Sequence, residues 1–362
     1  PSASWRLWGF CCLASSPGFK PWLQALASSP GLYTRRARLW FQTMAFNAAG
    51  AMALLSVAAA LEFGAPKVLL RLAVLVAQVP GLDVDSVDVL ELFAGRRRLT
   101  KAFRQMRLGA IPYDVETISS SMDILTDKGF ALAIKLVLSL KRGALLWIGI
   151  PCSSWVWMNM GTAARNKILW MGNTSHQYVR EANKTVSRVA LLIWLASWRG
   201  ATWIVEQPLS SLVGYHQRMQ ELFAKFTVYR SRAAMGAFSG STIKYLKFWS
   251  NEDWISEMST YKVGRKFIDR QKTYRNRINK SGIQVTDGAH KQLKETEAYT
   301  RRFGRVVAAL FMNNQKLGGA RTPIEETPPP RDLLKMSPTD DCWSDAGLDT
   351  VFEFLRGGND DT

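Results

Sequence analysis

The sequence predicts an α/β protein of the Rossmann-like kind, with a mostly parallel central sheet flanked by helices. Three observations carry that expectation. From Asp88 onward, apolar runs of strand length alternate with helical periods, and such alternation builds βαβ units with right-handed crossovers. The strongest strands, DVLELFAG, ALLWIGIP and ATWIVEQP, are almost unbroken apolar runs, as strands covered on both faces must be. Each ends in glycine or proline beside a residue able to do chemistry. Ligands of open α/β sheets sit at those carboxyl ends.

The elements follow in order. DVLELFAG is a buried strand closed by Gly95. RRRLTKAFRQMRLG reads as a helix with a glycine stop. AIPYDVE is a second, short strand, and SMDIL follows it with Asp123 at the end of a further short strand if one forms there. TDKGFALAIKLVLSLKRG is a helix with Thr126 as its N-cap. ALLWIGIP is the third strand. A long helix covers roughly Tyr178 to Trp198, with Val186, Ala190, Ile193 and Trp194 on one face. ATWIVEQP is the next strand, stopped by Pro208. FTVYRSRAAMGAFSGSTIKYLKFWSN suggests one or two strands around a glycine-rich turn, and AYTRRFGRVVAALFMNN a closing helix.

This places a catalytic-type domain at residues 86–318, with a short basic insert at about 251–290. Residues 44–85 form an apolar helical segment. Ala45 to Leu61 is apolar but only 17 residues long, the lower edge for a membrane span. A packed helix is preferred there, with a targeting or membrane role for 44–61 left open and no stable membrane association expected. Residues 1–43 contain no acidic residue and mix Ser, Trp and Arg, as in a transit-like extension or translated non-coding sequence. Residues 319–362 read as an acidic, Pro-rich disordered tail.

The 362 residues carry a formal charge of +18. Before Thr322 there are 44 basic and 19 acidic residues, a surplus of +25. Such a body favours a polyanionic partner, nucleic acid first. Four cysteines without a CxxC pair and three scattered histidines argue against a disulfide framework and a structural metal, so no metal is expected.

Four strand ends offer chemistry. ELFAG opens a turn where a helix N-terminus follows and glycine permits close approach; Arg96 to Arg98 stand where the glycines of a dinucleotide fingerprint would be. Asp114 and Glu116 follow by 19 and 21 residues, placed to accept ribose hydroxyls. Asp123 is a candidate to face an adenine amino group if it ends the next short strand. In GIPCSSWVW, Cys152 follows Pro151 at a strand end, where backbone N–H groups would lower its pKa; a buried structural thiol is the plainer reading. Glu206 in IVEQP ends the neighbouring strand, about 4.8 Å away, so a thiolate and a carboxyl can bracket one flat ring. Ser153, Ser154 and Arg165 are candidates for substrate contact, a solvated loop arginine being the plainer reading of Arg165. Trp155 and Trp157 are candidates to line a base pocket.

The order ELFAG, acid, Asp-Ile, Pro-Cys, Val-Glu-x-Pro resembles the cytosine-5 DNA methyltransferases, a class I S-adenosylmethionine-dependent family, over roughly Asp88 to Leu209 and the closing helix. The resemblance implies Phe93, Gly95, Asp114 or Glu116, Asp123 and Ile124 around S-adenosylmethionine, with Pro151 at its edge. It implies Cys152 as the nucleophile on C6 of a flipped cytosine and Glu206 as the partner of N3. The expected function is methyl transfer to C5 of cytosine, on DNA ahead of RNA, inside the cell and in the nucleus of a eukaryote. Glu-Gln-Pro stands where the family has Glu-Asn-Val, and no clear Gln-x-Arg-x-Arg motif follows. The alternatives are a catalytically degenerate nucleic-acid-binding module on the same fold, or methylation of RNA or another substrate. Oligomeric state is not legible.

Overall fold

In the computed structural model, residues 85–265, 274–282, 284–288, 296–316 and 343–355 are described, with Pro66, Val68, Leu69, Leu72 and Phe267. The extension 1–43, the apolar segment 44–61 and residues 319–342 lie outside them. Six strands form one sheet in the order β2-β1-β3-β4-β6-β5. They are β1 (Val87–Leu92), β2 (Ala110–Tyr113), β3 (Leu140–Gly149), β4 (Thr202–Pro208), β5 (Tyr229–Ala234) and β6 (Tyr245–Ser250). β1 to β4 pair in parallel, and β6 runs antiparallel to both β4 and β5. The protein is therefore α/β with a mostly parallel sheet flanked by helices, compatible with a Rossmann-like fold.

Helices connect the strands: α1 (Arg98–Gln105), α2 (Asp127–Leu138), the single turn α3 (Met160–Ala163), α4 (Gln177–Trp198), α5 (Gln217–Lys225) and, at the end, α6 (Arg301–Lys316). Strand side chains alternate between two cores. Val89, Trp147, Ile204 and Phe248 meet α1 and α6 through Phe103, Phe303 and Phe311. Leu90, Leu146, Trp203 and Val205 meet α2, α4 and α5 through Ile134, Val189 and Leu222. The chain leaves β1 toward β2 on one side and places β3 and β4 on the other. The switch point, where such sheets hold ligands, therefore lies at the carboxyl ends of β1 and β3.

Local chemistry explains the boundaries. Thr126 caps α2, its Oγ1 accepting from the Gly129 amide at 3.1 Å. The RRRLTKAFRQMRLG helix does not run to its glycine; it stops at Gln105, and Arg107 turns the chain at φ 63°. Gly109 instead leads into β2, its amide donating to Asp88 at 2.7 Å. LKRG belongs to β3, not to the preceding helix, which Ser139 caps. Asp123 ends no strand. It follows a 3-10 turn at Ser120–Met122 and accepts from the Leu125 amide at 2.9 Å.

The C-terminal end corrects the expectation of a featureless tail. A second helical segment, α7 (Leu348–Leu355), follows a 3-10 turn at Ser344–Ala346, and Trp343, Val351 and Phe352 join the α2/α4 core. Arg188 of α4, fully buried, donates to the Ala346 and Gly347 carbonyls on this segment and to Ile124 and Thr126 on the body. Asp345 accepts from Ser187 and, at 3.0 Å, from Arg218. The acidic composition suggested disorder, but Leu348, Val351 and Phe352 of LDTVFEFL share one face and bury it.

The basic insert holds a 3-10 stretch at Asp253–Thr260 and an antiparallel hairpin, β7 (Tyr274–Ile278) with β8 (Gln284–Gly288). β8 lies against the turn at Trp157–Asn159. Among the described residues no helix is long and apolar enough to cross a membrane.

Candidate active site

The β1 end forms a tight, conformationally unusual turn. Phe93, Gly95 and Arg97 all have positive φ, at 59°, 47° and 57°, a region that side chains other than glycine enter only when their surroundings demand it. Asp114, at the end of β2, is what demands it. Its Oδ2 accepts from the Gly95 amide at 2.9 Å, and its Oδ1 accepts from the Glu116 and Thr117 amides and the Thr117 hydroxyl. Thr117 Oγ1 closes the ring onto the Gly95 carbonyl at 2.8 Å. Asp114 thus braces the turn, while Glu116 is exposed beside it. Nothing lies within 4 Å of the space a Gly95 side chain would fill. Phe93 is half-buried against the core. Asp123 and buried Ile124 lie past the end of β2.

Behind the turn sits Glu91, 1 % exposed. Its Oε2 accepts from the Thr100 amide and hydroxyl at the start of α1, and Oε1 is buried without a partner. Burial pushes this carboxyl up to about 6, against the pull of the Thr100 hydrogen bonds.

The register pairs Gly149 of β3 with Glu206 of β4, so Cys152 follows three residues beyond the point where Glu206 sits. Glu206 is 7 % exposed and accepts from the Tyr299 hydroxyl on Oε2 at 2.7 Å. Tyr299 in turn accepts from Trp147 Nε1 at 3.2 Å and stacks on Phe303 with ring centroids 4.8 Å apart. A side chain at Gly149 would come within 2.8 Å of the Tyr299 oxygen, which is why glycine stands there. Burial drives the Glu206 carboxyl upward, opposed by Lys244 and the Tyr299 bond. The acid is therefore held toward its protonated form.

Cys152 is a half-buried free thiol. The expected lowering of its pKa is reversed. Burial pushes it up, Lys244 pulls down, and Glu206 and Glu297 push up again. The thiol's own backbone amide also favours thiolate, more weakly than burial opposes it, while the Trp155 and Val156 amides donate to the Cys152 carbonyl instead. Cys152 and Glu206 feel each other and share Lys244 as the nearby cation.

The rest of the Pro-Cys loop is scaffold. Arg165 is 2 % exposed and is neither a solvated loop residue nor an available substrate contact. Its guanidinium donates to Ser154, Asn183 and the carbonyls of Trp170, Met171 and Val179, and lies 3.6 Å over the Trp155 ring. No carboxylate is among these partners, and burial holds Arg165 down at about 10. Trp155 is fully buried beneath it, so it lines core and not a base pocket; Ser154 is buried and tied to Arg165. Pro151, Ser153 and Trp157 remain on the surface. Gln207, within IVEQP, bolts the two strand ends together: its Nε2 donates to the Ile150 carbonyl at 2.7 Å and its Oε1 accepts from Ser211 at 2.8 Å.

The structure thus brings together Cys152, Glu206, Phe93, Gly95 and Asp114 at one edge of the sheet. It adds Tyr299 and Lys244, which sequence reasoning missed. Tyr299 lies 93 residues from Glu206, and nothing in AYTRRFG marks it. No family model matches the chain, and no curated protein is significantly similar to it.

Proposed function

We propose that the protein transfers a methyl group from S-adenosylmethionine to C5 of cytosine, with DNA as the substrate ahead of RNA. The observation that carries this reading is the pairing at adjacent strand ends. A thiol and a buried, proton-retaining carboxyl share one edge of a parallel sheet, next to an open turn at β1. The turn fits the adenosyl cofactor: Gly95 has free space beside it, Phe93 is anchored, and Glu116 and Asp123 stand within the same strand-end loops. When bound, S-adenosylmethionine supplies an electrophilic methyl.

This chain's own residues do the rest. Lys244 favours ionisation of Cys152. Thiolate addition forms the Sγ–C6 bond while the protonated Glu206 gives its proton to N3, so charge does not build on the ring. Tyr299 holds Oε2 of Glu206 and leaves Oε1 for the base. The enamine so formed is nucleophilic at C5 and would take the methyl as the methyl–sulfonium bond breaks, leaving a neutral thioether. A base, water serving where no side chain does, takes the C5 proton as Sγ–C6 cleaves to return the thiolate, and N3 returns its proton to Glu206. A base in duplex must leave the stack to reach such a pair.

The test is transfer of tritiated methyl from S-adenosylmethionine to genomic DNA and to total RNA. Transfer that disappears in Cys152→Ala supports the reading; transfer that survives it refutes the covalent mechanism. One observation favours the degenerate binding module instead: the Asp114 carboxylate is taken up by its own turn. Calorimetry with S-adenosylmethionine separates the two, since that module would bind nucleic acid and give no heat with the cofactor.

A further inference from the structure

α1 and α6 pack side by side and run the same way: Gly304 abuts the Arg98 backbone, and Phe103 meets Phe311 with ring centroids 5.7 Å apart. Their N-termini therefore lie together at the carboxyl edge of the sheet, beside Tyr299. Arg96, Arg97 and Lys101 are exposed on the first, and Arg301, Arg302 and Arg305 on the second. Neither helix has an acidic residue in its first turn. Among the described residues, none of these six takes part in an ion pair. Arg98, between them, keeps a buried Nε without a partner. Among the described residues, Glu116 and Glu297 are the exposed acids nearby in the chain.

This is an unfavourable place for so much positive charge. Helix N-termini are already the positive ends of their dipoles, and Arg97/Lys101 and Arg301/Arg305 are like charges one turn apart. A stable fold that keeps them gains nothing internally from the arrangement. A polyanion relieves it. Arg301 and Arg305 stand about 6 Å apart along the axis, close to two phosphate steps of one strand at about 3.4 Å each.

We infer that the paired N-termini of α1 and α6 are the track for a nucleic-acid backbone, and deliver the strand to the Cys152–Glu206 edge. The inference rests on the proposed action on nucleic acid but is tested without catalysis. Fluorescence anisotropy of a labelled 20-base-pair duplex, and of one of its strands, is followed from about 50 to 200 mM salt with no cofactor. Each phosphate contact contributes about 0.9 to the log–log salt slope for duplex and about 0.7 for single strand. The variant Arg96→Ala/Lys101→Ala/Arg301→Ala/Arg305→Ala should lower the slope by about 3 to 4 and weaken binding at least 100-fold. Arg142→Ala/Lys225→Ala, on the opposite edge of the sheet, should change affinity less than threefold. Equal effects of the two variants, with the fold intact by circular dichroism, would overturn the inference. So would a wild-type protein that ignores both nucleic acids but binds phosphatidylserine vesicles through the same arginines. A protein that binds through the patch yet transfers no methyl would leave the patch standing and remove the catalytic reading alone.

Discussion

Replacing Gly149 by alanine tests the support of Glu206 directly. The new Cβ would meet the Tyr299 oxygen at 2.8 Å, where ordinary contact begins near 3.4 Å, so the hydroxyl must retreat by about 0.6 Å. It has little freedom to do so, because the ring is stacked on Phe303 at 4.8 Å and set edge-on to Trp147 at 5.9 Å. Overpacking of this kind costs about 1–3 kcal/mol, and losing the Tyr299–Glu206 hydrogen bond in a buried place costs about as much again. Against these stands about 0.5–1 kcal/mol gained by removing a glycine from a strand. The net expectation is a loss of about 3 kcal/mol, or a Tm lower by about 6–12 °C for a domain of this size, read by urea and thermal denaturation. In a Tyr299→Phe background the clashing oxygen is gone, and the nearest remaining atoms are 3.8 Å away. Alanine should then be neutral or stabilising. The same loss in both backgrounds, within about 0.5 kcal/mol, would refute this account of the glycine and of the Tyr299 brace.

Four other outcomes follow from the same geometry. Glu91 has a carboxyl raised from 4.5 to about 6, so the folded state holds its proton more tightly than the unfolded chain; wild type should lose about 2 kcal/mol relative to Glu91→Gln as pH rises from about 3.5 to 7, and parallel stability curves would disprove it. Arg165→Lys cannot serve so many acceptors and should destabilise the protein by at least about 3 kcal/mol, with proteolysis appearing first between residues 154 and 171. Asp345→Ala removes the acceptor of Ser187 and Arg218 and should free the C-terminal segment at a cost of about 2 kcal/mol, seen as a red shift of Trp343 fluorescence. Because burial keeps Cys152 protonated, kcat/KM for methyl transfer should climb with pH beyond the ordinary thiol range; a plateau already reached below neutrality would contradict the buried thiol.

The strands were legible because burial on both faces writes itself as apolar runs. ALLWIGIP and IVEQP needed no tertiary information to be placed, and Thr126 announced its helix by side-chain chemistry alone. Legibility failed where a residue's surroundings come from elsewhere in the chain. Arg165 looks like any loop arginine in GTAARNK, yet Asn183 and the carbonyls of three other residues enclose it. Trp155 looks like a stacking platform and is core for the same reason. The residues after Cys152 suggested free amides, but those of Trp155 and Val156 close onto the Cys152 carbonyl, and burial outweighs the help the thiol still receives from its own amide and Lys244.

By itself the sequence determined the α/β class, the strand ends at Gly95, Cys152 and Glu206, and the positive charge of the body, because each depends on local pattern or on simple counting. The tertiary structure alone decided that Gly149 and Glu206 are register partners, that Tyr299 and Lys244 complete the site, and that two arginine-bearing helix ends lie side by side. Those are contacts between segments far apart in the chain, made by sheet order and helix packing, and no short stretch of residues encodes them.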